Sequence, residues 1–231
     1  PSKAAIDLFA VMNAEKPFTA GQEIAFRLIG DADGRAYVDL GDYKSAIDLA
    51  PLTGPEKEQM ASDILATLQH RQEQTGEAPS EEMVAELQKG FAAREIYEGR
   101  YTVSPGEERY GITAKAYMVN PFGGQAIRLD MMNRVDIDAK PPAATTGLET
   151  EALDEKVKIH WQRNKETDLA GYEIWTSTSP LSGFKLYQTS EKNDAYLHNL
   201  TNFDRFYVKI RAIDKADNKA PFGASVEAAA L

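Results

Sequence analysis

Phe206-Tyr-Val-Lys-Ile-Arg-Ala-Ile-Asp214 sets Phe206, Val208, Ile210 and Ala212 on one side of an extended chain and polar or aromatic residues on the other. Period-two alternation over this length is the pattern of a β-strand with one buried face. The same pattern recurs upstream, with Val157, Ile159 and Trp161 on one strand and Tyr172 and Ile174 on the next. The turn clusters Ser177-Thr-Ser-Pro-Leu-Ser-Gly183 and Asp214-Lys-Ala-Asp-Asn218 fall between them. Short strands separated by such clusters describe a β-sandwich, and no helix-period segment interrupts this half.

The order of these residues carries a resemblance. Trp161, then Ala170-Gly-Tyr-Glu-Ile-Trp175, then Leu200 six residues before the Phe206 strand, then Asp217-Asn218, resembles a bacterial fibronectin type III domain over about residues 143–231. The resemblance implies that Trp161 is the buried tryptophan of strand B and that Phe206 to Ala212 is strand F. It also implies a tyrosine where this chain has Phe206, with a hydroxyl that ties the chain back onto itself. Either Tyr207 takes over that bond or it is absent.

Ala139-Lys-Pro-Pro-Ala-Ala-Thr-Thr-Gly147 interrupts strand patterning on both sides. It predicts a linker over 140–147, short and semi-rigid because Pro141-Pro142 favours polyproline geometry. Residues 1–139 and 148–231 then form two domains. In the first, alternation at Ile6 to Val11, Ile24 to Ile29, Ala36 to Leu40 and Ile112 to Val119 marks strands. Tyr97-Glu-Gly-Arg-Tyr-Thr-Val103, followed by the Ser104-Pro-Gly106 turn, resembles immunoglobulin-like repeats of bacterial surface proteins. A short echo pairs Pro121-Phe-Gly123 with Pro221-Phe-Gly223, although the flanking strands do not share a register.

Inside the first domain, after Thr53-Gly-Pro55, Met60, Ile64 and Leu68 fall four apart. A break at Gln74-Thr-Gly-Glu-Ala-Pro79 precedes a second run with Met83, Leu87 and Phe91. Pro55 suits a first helical position and Ser80 an N-cap, so 55–96 reads as a helical hairpin inserted where a sandwich needs only a short loop. The expected fold class is mainly β: two tandem immunoglobulin-like/fibronectin type III β-sandwiches, the first with this inserted α-helical hairpin.

Composition narrows the function. The net charge is −10, with 15 basic and 23 acidic side chains in residues 1–140 and 11 and 13 in the rest. That balance opposes nucleic acid and anionic membranes, and no apolar run reaches the length of a membrane span. With no cysteine, disulfides, thiolate metal sites and cysteine nucleophiles are excluded together. The start at Pro1 without a leader predicts a piece of a longer product.

His70, His160 and His198 are isolated in sequence and read as packed or surface imidazoles, because zinc needs three or four convergent ligands. Asp31-Ala-Asp-Gly34 and Asp39 to Asp42 have oxygen chemistry suited to calcium, but they lack the alternating acids of a calcium loop, and Asp-Gly is a hairpin signal. Nucleophile elbows, phosphate loops and zinc-helix motifs are absent from the sequence. The expectation is no catalytic residue, no cofactor and no metal.

Candidate binding residues are of two kinds. Trp175 and Tyr207, extended by Tyr187, fall on the outer face of the second sandwich, where an aromatic platform would stack on a sugar or anchor a protein unless Lys209 and Arg211 cover it. Met60, Ile64, Leu68, Met83, Leu87 and Phe91 form the apolar stripes of the hairpin, which either pack its helices together or meet a partner. The resemblances imply a non-catalytic, extracytoplasmic module of a bacterial surface or envelope protein that mediates protein assembly or adhesion. The alternative is a carbohydrate-binding accessory module of a secreted glycosidase.

Overall fold

The structure, a computed structural model, describes residues 3–60, 62–63, 94–130 and 133–231. It is built from antiparallel β-sheet in two compact units, Pro1–Asp138 and Ala139–Leu231.

The first unit contains β1 (Ile6–Met12), β2 (Glu23–Gly30), β3 (Arg35–Leu40), β4 (Lys44–Pro51), β5 (Glu95–Thr102), β6 (Glu108–Ile112), β7 (Ala114–Val119), β8 (Gln125–Leu129) and β9 (Val135–Asp138). The seven-stranded sheet runs β1-β2-β5-β4-β3-β7-β8, and β6 pairs with β9. Only Ala50–Glu98 and Pro51–Tyr97 pair β4 with β5, so the sheet behaves as two halves hinged at one corner. Ile24, Phe26 and Leu28 of β2 and Ala36, Val38 and Leu40 of β3 are buried, as period-two alternation requires. The halves meet inside: a Cβ on Gly30 of β2 would lie 3.1 Å from Met118 Cε of β7.

The Tyr-x-Gly-x-Tyr pattern acquires a cause. Tyr97 is buried, and its hydroxyl donates to the Asp31 carbonyl at 2.8 Å and accepts from the Gly34 amide at 3.1 Å, closing the β2–β3 turn. Gly99 sits where β4 crosses β5, and a Cβ there would lie 2.5 Å from the Asp48 carbonyl oxygen and 2.5 Å from Leu49 Cδ2. Gly99→Ala is expected to destabilise the first unit by about 1–3 kcal/mol through overpacking. Thermal denaturation of the full chain checks this, and an unchanged melting temperature would show that the corner yields freely.

Residues 54–60 are helical. Thr53 caps them by donating its amide and its hydroxyl to Glu56 Oε2, both at 2.7 Å, one half of a capping box. Met60 is half-buried. Ile64, Leu68, Met83, Leu87 and Phe91, with the second helix of the expected hairpin, lie outside the described residues.

The second unit contains β10 (Glu149–Leu153), β11 (Lys156–His160), β12 (Leu169–Ser177), β13 (Lys185–Ser190), β14 (Asp194–Leu197), β15 (Phe206–Asp214) and β16 (Val226–Ala228). They form a three-stranded sheet, β10-β11-β14, and a four-stranded sheet, β13-β12-β15-β16. Val157, Ile159, Trp161, Tyr172, Ile174, Leu197, Val208 and Ile210 make one buried cluster. Trp161 is 2% exposed and meets Tyr172 edge to face at 5.1 Å.

Residues 143–146, read from the sequence as part of a linker, bond to the second unit. Thr145 is buried and donates its hydroxyl to the Ile210 carbonyl at 2.7 Å. Asn164 Nδ2 donates to the Ala143 carbonyl at 2.9 Å, and the Gln162 amide to Thr146 at 3.0 Å. The prolines could not reveal what lay beside them. Tyr207 does not replace the missing corner tyrosine, because its hydroxyl donates to Glu227 Oε2 at 3.0 Å. The Pro-Phe-Gly echo is coincidental: Gly123 lies in a turn at φ 78°, whereas Gly223 donates its amide to the Ile210 carbonyl alongside β15.

Candidate functional site

Three of the sequence-selected residues lie on the second unit. The register pairs Glu173 with Arg211, Trp175 with Lys209 and Ser177 with Tyr207 on the outer face of β12 and β15. Glu173 is 6% exposed despite its place on that face. It accepts from Arg211 Nε at 2.6 Å, from Lys219 Nζ at 2.9 Å and from Trp175 Nε1 at 2.9 Å. Burial pushes its carboxyl up, but the hydrogen bonds from Lys219, Trp175 and Arg211 outweigh this and hold it below the usual carboxylate range.

Trp175 is therefore engaged. Its ring meets Phe222 edge to face at 5.7 Å, and the Arg211 guanidinium lies 5.4 Å from its centre. Lys209 Nζ sits 4.2 Å from the Phe184 ring and 3.9 Å from that of Phe222. These are cation–π contacts that consume ring faces. Tyr207 turns to Glu227, while the Tyr187 hydroxyl accepts from the His198 amide at 2.9 Å. The three aromatics of the expected platform thus have separate partners. Phe184 and Phe222 come from loops, where no alternation marks them in the sequence.

An aromatic row that the sequence reading passed over lies on the first unit. Tyr37 of β3 and Tyr117 of β7 are directly opposite each other, with ring centres 4.7 Å apart and planes 8° from parallel. Asp48 of β4 continues the row on one side and Ile127 of β8 on the other. Ile127 is 57% exposed, and Leu129, two residues further on the same face, is also exposed. Lys115 of β7 pairs with Asp39 and Leu129 and lies 5.0 Å from the Tyr117 ring. The signal was available: each tyrosine alternates with buried residues, Ala36 and Val38 in one strand, Ala116 and Met118 in the other.

The ring geometry decides what this face can hold. A separation of 4.7 Å is the spacing of neighbouring strands, so the rings face each other and present their edges outward. A sugar stacks on a ring face, and the pairing takes one face of each ring, with Lys115 also 5.0 Å from the centre of the Tyr117 ring. Ile127 and Leu129 continue the row as exposed apolar surface. Arg128 steadies the strand by donating to the carbonyls of Ile6 and Asp7 of β1 at 3.0 and 2.6 Å.

The acidic turns serve the fold. Asp31 accepts from the Ala5 amide at 2.9 Å and pairs with Arg94 at 2.8 Å, and Asp39 accepts from the Ala46 amide at 2.8 Å. His160 lies 3.1 Å from Glu149, and His198 packs beside Tyr196. His70 is outside the described residues.

Comparison with protein-family models finds no match, and neither does comparison with curated proteins. Solved structures do match. A run of titin domains aligns over 96% of this chain with a TM-score of 0.53 at 8% identity. This chain spans 66% of that structure's length. Fibronectin(III)-like modules of Clostridium thermocellum CbhA align over 96% of this chain and 94% of theirs, with a TM-score of 0.46 at 11% identity. The FN1–FN3 domains of chicken CNTN1 align over 99% and 69%, with a TM-score of 0.47 at 10% identity. Likeness at such identities concerns the fold alone. The chain has a fibronectin type III-like, immunoglobulin-like β-sandwich fold.

Proposed function

We propose that the protein is a non-catalytic module mediating protein–protein assembly in a bacterial surface or envelope protein, outside the cytoplasm. The observation that carries this is the outer face of β3, β7 and β8, where Tyr37, Tyr117, Ile127 and Leu129 present apolar surface on a side of the sheet that is ordinarily polar. The net charge of −10 favours a neutral or basic partner over polyanions. The resemblance to bacterial fibronectin type III and immunoglobulin-like repeats supports the compartment. Contacts of Trp175 with Arg211 and Phe222 weigh against the carbohydrate alternative, which needs an open ring face.

The test is Ile127→Arg with Leu129→Arg in the full chain. Both side chains are exposed, so the melting temperature should stay within a few degrees of the parent, as surface changes of about 0.5 kcal/mol allow. Co-purification of the native partner from the source organism should be lost. Retention of the same partner by the double variant would refute the reading.

A further inference from the structure

A groove of about 420 Å³ opens in the second unit between β12–β13 and the chain that follows β14, a size suited to a specific ligand. Leu197, Leu200 and Phe206 contribute its apolar surface, Thr176 and Thr178 contribute hydroxyls, and Lys185 and Arg205 contribute cations, of which Arg205 is paired with Glu227 at 3.0 Å. Lys185 has no ion-pair partner among the described residues. The only carboxylate lining the groove among the described residues is Asp204, which belongs to the other wall.

The two loops that supply these walls carry apolar side chains into solvent. Leu181, within the turn between β12 and β13, is 92% exposed, and Phe203, next to Asp204, is 78% exposed. Phe203 also has φ of 70°, a left-handed conformation that costs a residue with a Cβ about 1–2 kcal/mol. Exposure and strain at one phenylalanine oppose folding of the isolated unit, and an occupant that covers the ring would recover part of that cost. A further feature selects the kind of occupant. Among the described residues β13 pairs only with β12, so its other edge offers unpaired backbone groups.

We propose that this groove binds an extended peptide that adds to the β13 edge, seats an apolar side chain against Leu200 and Phe206, and sets a carboxylate beside Lys185. Backbone pairing supplies affinity in this mode, and the side-chain subsites supply specificity. The open edge of β13 suits a peptide better than a sugar, because a peptide backbone can pair with it. This site is separate from the β3–β7–β8 face, so either can fail without the other.

The experiment is selection of random linear dodecapeptides on phage against the immobilised full chain, with one selected peptide then synthesised for titration. Enrichment of Asp or Glu next to Leu, Phe or Val is expected. Lys185→Glu should weaken the synthesised peptide at least about tenfold, equivalent to about 1.4 kcal/mol. Phe203→Gly is the second variant: glycine relieves the left-handed backbone, so the melting temperature should hold or rise while peptide binding falls. Amide exchange should slow in β13 when the peptide is bound. The proposal is overturned if no peptide enriches above the bare surface, or if binding is indifferent to both variants. Binding of cello- or chito-oligosaccharides in place of any peptide would also overturn it.

Discussion

Trp161→Ala should lower the stability of the second unit by about 3–5 kcal/mol, a large part of what a domain of this size possesses. Trp161 is among the largest fully buried side chains of the described residues and belongs to the cluster with Tyr172, Ile174, Val208 and Ile210. Its removal deletes the edge-to-face contact with Tyr172 and leaves a cavity that two facing sheets cannot close without shifting. The indole is held from outside the core as well. Its residue donates its amide to the Asn193 carbonyl at 3.0 Å and accepts from Asn193 Nδ2 at 2.8 Å. Indole Nε1 has no hydrogen-bond partner among the described residues. Trp161→Phe, which gives up that unpaired donor along with some volume, should therefore cost distinctly less than Trp161→Ala. Calorimetry should show the unfolding of residues 139–231 falling by about 10 °C or more for the alanine variant. A shift of only a degree or two would contradict the packing described for this core.

The second large effect belongs to Glu173. Replacement by alanine removes the carboxylate that unites Arg211, Lys219 and Trp175 Nε1, leaving the Arg211 guanidinium largely buried beside a vacated site. Breaking a buried ion pair from one side costs about 3–5 kcal/mol, and the lower end applies because Lys219 is partly exposed and rehydrates. Glu173→Gln isolates the charge. The folded carboxyl lies below its ordinary value, so the stabilisation it gives is complete above the unfolded value of about 4.3 and is lost as pH falls through the folded value. The stability gap between parent and Glu173→Gln should accordingly be widest near neutrality and close as pH falls through the folded value. Denaturant titrations at several pH values measure it, and a gap that persists unchanged into acid would assign the effect to shape instead of charge.

Much of the second sandwich was legible because its strands bury one face each. Val208, Ile210 and Trp161 stand where alternation puts them. What alternation could not convey was the content of loops. Phe184 and Phe222 arrive from irregular segments to flank Lys209, so the sequence, which named Lys209 and Arg211 as the residues that would cover Trp175, did not show the two rings that complete the cation–aromatic stack. The Tyr37–Tyr117 row shows the opposite case. Its residues obeyed the strand pattern, but recognising the row requires knowing that β3 neighbours β7, with Tyr37 and Tyr117 80 positions apart in sequence and joined only by tertiary pairing. Apolar stripes in the 55–96 segment were equally visible, yet of those residues Met60 alone falls within the described structure.

The claim that the β3–β7–β8 face meets a protein is tested most directly by placing a photo-crosslinking amino acid at position 127 in the full chain, expressed in the source organism, with exposed Glu151 of β10 as the control position. One discrete, protease-sensitive adduct is expected from position 127 and none from position 151. An absence of adduct at 127, or the same adducts from both positions, would contradict it.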